Sequence, residues 1–122
     1  MPKLTANGIG IYYEEHGAGE PLLLISGTFN DHTLWNPQVP QFSQRYRCII
    51  FDNRGLGKTD KGNVTPYSVG LLAEDAVALL RALGVNRAHV AGLSLGSVVA
   101  QEMAINHPAL VHNLCLHATW DS

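Results

Sequence analysis

Apolar and polar positions along this chain change rhythm several times, and each change marks an element. From residue 3 to 17 the pattern alternates weakly, with Ile9, Ile11, Tyr12 and Tyr13 following Asn7-Gly8. Asn-Gly supplies the two positive-φ residues of a tight hairpin turn, so two short antiparallel strands are predicted around it. After Gly17-Ala18-Gly19, the run Pro21-Leu22-Leu23-Leu24-Ile25-Ser26 is continuously apolar and too short for a helix. Such a run suits a parallel strand buried on both faces. Arg47 to Phe51, Arg87 to Leu93 and Val111 to Ala118 repeat the signal.

Helical rhythm fills the gaps. Thr33 to Tyr46 predicts a helix whose regular part is confined to its later residues by Pro37 and Pro40. Thr65-Pro66 reads as an N-cap followed by a first-turn proline. Val69, Leu72, Ala76, Leu79, Leu80 and Leu83 then recur every three or four positions until Gly84 stops them. Leu95 to Asn106 predicts a third helix, rich in small residues and ended by His107-Pro108. Strands alternating with helices predict an α/β fold with a mostly parallel sheet, led by an antiparallel hairpin.

Composition narrows this picture. The 122 residues are read as a single domain, 46% hydrophobic and 15% charged, with a formal net charge of −2. That balance gives no electrostatic case for nucleic acid or an anionic membrane, and neither partner is expected. No stretch approaches the roughly 18 apolar residues of a membrane span, and Met1-Pro2-Lys3-Leu4 lacks an apolar leader core. A cytoplasmic location is expected. Cys48 and Cys115 fall inside apolar runs and read as buried, reduced thiols.

The chemistry centres on Gly92-Leu93-Ser94-Leu95-Gly96, which joins a predicted buried strand to a small-residue helix. This is the pattern of a nucleophile elbow, a sharp turn that exposes a serine hydroxyl. An acyl transition state also needs donors for the developing oxyanion. The Leu95 N–H opens a helix, and a second N–H is expected from the loop after the first buried strand, from Thr28 or else Phe29. Gly27 would let that backbone approach closely. The base is harder to place. Glu102 lies roughly 12 Å along the helix from Ser94 and His107 farther still, at about 1.5 Å rise per residue. His112 opens the last strand, at the wrong end of a parallel sheet, so His117 becomes the candidate base. His32 reads as a loop residue, Asp52 and Arg54 as structural loop residues, and Glu74 and Asp75 as a helix surface. Trp35 and Phe29 read equally as pocket lining or as packing. Gly55-Leu56-Gly57-Lys58-Thr59 is not a phosphate loop, because Asp52 stands where that motif needs a glycine.

Five ordered motifs carry a resemblance across nearly the whole chain. They are Ser26-Gly27-Thr28, Trp35, Asp52-Asn53-Arg54-Gly55-Leu56-Gly57-Lys58-Thr59-Asp60, the elbow, and Asn106-His107-Pro108. The chain resembles the N-terminal half of an α/β-hydrolase-fold enzyme of the esterase, enol-lactonase and haloperoxidase-like branch. The resemblance implies Ser94 as nucleophile and Thr28 with Leu95 as oxyanion donors. It also implies the chain order serine, acid, histidine, with the histidine beyond the last strand seen here. Some relatives place the acid after the strand that follows the nucleophile helix, which makes Asp121 the candidate acid. Asp121 reads otherwise as a solvated end residue. Ser26 stands where the family has a histidine, a change expected to alter loop packing more than chemistry.

The expectation is therefore a truncated α/β-hydrolase domain over residues 1–122, lacking later strands and cap. It would cleave an ester, lactone or related acyl bond of a small molecule through an acyl-serine, with no cofactor. The 111–118 strand would form an open edge, pairing with a second copy or a complementing chain. The alternative is a non-catalytic half-domain that binds a small ligand or oligomerises.

Overall fold

Asn7 and Gly8 both take positive φ, 51° and 82°, and close the hairpin between β1 (Lys3–Ala6) and β2 (Ile9–His16). The computed structural model describes residues 3–27, 30–62 and 67–117, and only the backbone of Leu116 and His117. Four further strands follow: β3 (Glu20–Ile25), β4 (Tyr46–Phe51), β5 (Ala88–Leu93) and β6 (Val111–His117). The six strands form one sheet in the order β1-β2-β4-β3-β5-β6. β2 runs antiparallel to β1 and β4, while β4, β3, β5 and β6 are mutually parallel. The predicted architecture is present, with the C-terminal ends of four strands along one rim.

Alternation along β3 shows why the apolar runs are continuous. Leu23 and Ile25 face one side with Ile49, Phe51 and Val90, against α2 (Val69–Ala82) and α3 (Leu95–Asn106). Leu22 and Leu24 face the other with Cys48, Ile50 and Ala91, against Trp35 and Val39. Burial on both faces leaves no polar residue from Leu22 to Ile25 or from Cys48 to Phe51.

Three expectations are corrected. The predicted helix from Thr33 to Tyr46 is a 3₁₀ turn at His32–Trp35 followed by the single-turn α1 (Val39–Phe42). Pro40 lies in that turn's start, and proline is tolerated only there, so the helix cannot extend backward. Helix α2 begins at Val69, with Ser68 as N-cap accepting from the Leu71 N–H. Thr65 and Pro66, expected to start it, lie outside the described residues. Cys115 is exposed where a buried thiol was expected, whereas Cys48 is buried. The reason is position: β6 has β5 as its single neighbour among the described residues, and Asn113, Leu114 and Cys115 are all exposed. Beside it an open groove of about 300 Å³ runs over Leu22, Leu24, Phe42, Tyr46, Ala91 and Cys115.

Candidate active site

Strand β5 delivers Ser94 to the C-terminal rim, and α3 departs at once from Leu95. So abrupt a change of direction holds Ser94 at φ 59°, ψ −123°, a left-handed φ that side-chain-bearing residues adopt only when their surroundings impose it. Three glycines impose it. A Cβ on Gly92 would collide with the carbonyl of Gly96, and one on Gly96 with the carbonyl of Ile25 at the end of β3. A Cβ on Gly27 would lie 2.9 Å from the Ser94 Cβ, so the loop leaving β3 rests directly against the turn. Buried Ser97 fixes the far side, its N–H and Oγ–H both donating to the Ser94 carbonyl at 2.9 and 2.6 Å.

The Ser94 hydroxyl itself does not cap α3, and it has no hydrogen-bond partner among the described residues. The side chain is half-buried, at the positive end of a twelve-residue helix. The Leu95 N–H is one of the donors that such a helix leaves without an internal partner.

The flanking loops are tied by hydrogen bonds to buried side chains. Ser26, fully buried, donates to the Asp31 carbonyl at 2.9 Å, and Asn53 Nδ2 donates to the Ser26 carbonyl at 3.2 Å. Asp52, also fully buried, gathers three donors. Its Oδ1 lies 2.7 Å from the His32 backbone N and 2.8 Å from His32 Nδ1, and its Oδ2 accepts from the Lys58 N–H at 2.9 Å. The other His32 nitrogen faces Glu14 at 3.2 Å. In the sequence His32 reads as a loop residue; in the structure it is buried, and carboxylates flank it on both sides. Nothing local announces this, because Glu14, His32 and Asp52 come from three separate segments.

The electrostatics follow from those contacts. Burial alone would raise the Glu14 carboxyl, but donation from Tyr12 and His16 and the charge of His32 outweigh it and hold it below its ordinary value. The same Tyr12–Glu14 hydrogen bond, with burial, pushes the Tyr12 phenol up to about 12. A third buried tie is an ion pair: Arg54 Nε and Nη2 reach the two Asp75 oxygens at 2.9 and 2.8 Å, and Asn7 Nδ2 adds a donor at 2.8 Å. Asp75, expected on a helix surface, is 2% exposed. Its neighbour Glu74 does face outward and meets His107 Nε2 at 2.8 Å. Adjacent helix positions point about 100° apart at 3.6 residues per turn, so one of the two acids faces in and one out.

The structure thus brings together Ser94, the Leu95 N–H and Gly27. Thr28, Phe29 and Asp121 lie outside the described residues. His117 pairs through its backbone with Leu93 at the correct rim; its side chain is not described. His112 sits at the opposite rim, and Glu102 holds Asn106 Nδ2 at 2.9 Å. Trp35 is packed, 5% exposed. Beside Leu95 a mainly apolar cavity of about 280 Å³ opens between Asn53, Leu56, Tyr67, Val69 and Leu72.

Known proteins share this fold. The profile of the alpha/beta hydrolase fold matches residues 20–122. A protein of Azorhizobium caulinodans named "Putative carbamate hydrolase RutD" is 34% identical over 120 residues, which are 98% of this chain and 45% of that one. A protein of Mycobacterium tuberculosis named "Putative non-heme bromoperoxidase BpoC" is 38% identical over 113 residues, 91% of this chain and 42% of that one. Among solved structures, Est816, described as an N-acyl homoserine lactone degrading enzyme, superposes with a TM-score of 0.90 at 33% identity, over 97% of this chain and 45% of its own. The enol-lactonase from Burkholderia xenovorans LB400 gives 0.89 at 26%, over 93% and 45%. The chain spans under half the length of these relatives.

Proposed function

The chain belongs to the alpha/beta hydrolase fold family, and on that premise we propose that it carries the nucleophile half of a serine hydrolase acting on a small-molecule ester, lactone or related acyl bond. The observation that carries the reading is the turn at Ser94: a strained backbone, an uncapped hydroxyl and a helix N–H beside it. The names of relatives point the same way, since carbamate and lactone cleavage both begin with attack on a carbonyl carbon.

In this mechanism a general base removes the Ser94 proton as Oγ attacks the carbonyl carbon. The oxyanion forms against the Leu95 N–H and a second N–H from Thr28 or Phe29, with Gly27 leaving room for the approach. Collapse expels the leaving group, which takes the proton from the base. Water, activated by the same base, then releases the acid and regenerates Ser94. The apolar cavity beside Leu95 is the place for an acyl chain. Within this chain His117 is the candidate base and Asp121 the candidate acid; a complementing segment or chain is the other source. Two free cysteines, one of them exposed, fit a cytoplasmic location.

A second reading is a non-catalytic half-domain that binds a small ligand or oligomerises. It is favoured by one observation: no described imidazole or carboxylate hydrogen-bonds the Ser94 hydroxyl. A fluorophosphonate probe separates the two. Labelling of the wild type that disappears in Ser94→Ala supports the hydrolase. Absence of wild-type labelling, in a protein shown to be folded, overturns it.

A further inference from the structure

At the rim opposite Ser94, the starts of β3, β5 and β6 bring Glu20, His89 and His112 together, with one donor atom from each lying within 4.8 Å of the others. His89 Nε2 is 2.7 Å from Glu20 Oε1, and the His89 and His112 rings meet edge to face with centroids 4.8 Å apart. Asn113 Nδ2 lies 3.1 Å from His89 Nδ1.

Regular β geometry would forbid this grouping. Successive side chains on a strand point to opposite faces, so His112 and Asn113 should not both reach His89. A bulge removes the conflict. Ala88 pairs with Val111, but His89 pairs with Asn113, which leaves His112 as the extra residue. A bulge re-aims a side chain at the cost of a regular ladder step. Here the step is given up at the residue that brings a second imidazole beside the first.

We propose that Glu20, His89 and His112 form a three-ligand site for a borderline divalent transition-metal ion, with Zn²⁺ the best match, that clasps the starts of β3, β5 and β6. Two imidazoles and one carboxylate are a donor set for zinc rather than for hard cations such as Mg²⁺ or Ca²⁺. Tetrahedral zinc at about 2.0–2.2 Å from each donor needs donors roughly 3.4 Å apart, so these three need only small rotations. Glu20 and His112 are exposed and free to make them. Open exposure leaves the fourth position to water.

The surroundings supply what a histidine ligand needs. With the Asn113 amide turned to present its oxygen, it accepts Nδ1–H and leaves His89 Nε2 free for the ion. Tyr46 packs edge-on against the His89 ring at 5.5 Å. Arg87 is the cation lining this cavity of about 230 Å³; it is exposed, where water screens its charge. The other cluster of this kind among the described residues, Asp31, His32 and Asp52, differs: both His32 nitrogens already face carboxylates, and Asp52 already accepts three N–H groups.

The inference stands apart from the hydrolase reading, since the two rims share no residue. Calorimetric titration of tag-free protein with Zn²⁺, paired with thermal unfolding, tests it. One equivalent should bind and raise the unfolding midpoint. His112→Asn and Glu20→Gln, both at exposed positions, should weaken binding at least about tenfold, while Cys115→Ser should not. No heat and no midpoint shift in the wild type would overturn the proposal. So would undiminished affinity in His112→Asn, which would place the ion elsewhere.

Discussion

Ser94 is held in a conformation that costs about 1–3 kcal/mol in a residue with a Cβ, and the glycines around it leave no way to relax. The strain is a property of the backbone, not of the hydroxyl. Ser94→Gly should therefore raise stability by about 1 kcal/mol in urea unfolding, after the flexibility of glycine in the unfolded chain is subtracted. Ser94→Ala, which keeps the Cβ, should leave stability nearly unchanged. Equal midpoints for the two variants would show that the turn stores no strain. This residue was legible in the sequence because every feature that defines it is local: a glycine on each side, an apolar run before, a small-residue helix after. Asp75 was not legible. Its partner Arg54 lies in another loop, and no pattern within α2 distinguishes its buried carboxylate from the exposed one of Glu74.

At the scale of elements, the strands and the long helices could be read directly, since burial on two faces and helical periodicity both write themselves into hydrophobic spacing. The start of α3 at Leu95 could be read too, but that of α2 could not. Ser68 caps α2, its hydroxyl accepting from the Leu71 N–H, where the sequence points to Thr65. Besides its apolar face, α2 is tied to the rest of the molecule by the Arg54–Asp75 pair, both members nearly inaccessible, with the Asp75 hydrogen bond holding the Arg54 guanidinium above its ordinary value. Arg54→Met leaves a buried carboxylate with Asn7 as its remaining partner and should cost about 3–5 kcal/mol in urea unfolding. Adding Asp75→Leu should recover at least half of that loss, since the penalty comes mainly from the orphaned charge. A double variant no more stable than the single one would refute this account.

For the whole molecule, the sheet order places β1 and β6 at the edges, and the exposed run Asn113-Leu114-Cys115 on β6 borders the groove over Leu22, Leu24 and Ala91. Such an edge offers ladder groups and apolar surface together. We expect association through it, by a second copy or a complementing chain. Light scattering at micromolar concentration should give a mass above the 13.2 kDa of one chain. Leu114→Lys, which puts a charge on a side chain 39% exposed, should lower it. A stable wild-type monomer would end this expectation. The strand order itself was not derivable from hydrophobic pattern, because neighbours in a sheet are chosen by long-range pairing. One carboxylate shows how far such pairing reaches. Asp52 receives His32 from one loop and Lys58 from another, while His32 leans on Glu14 of the hairpin, so three distant stretches of chain share a single hub. A displacement of His32 would therefore not stay local: through Asp52 it would be passed to the turn after β4, and through Glu14 to the hairpin.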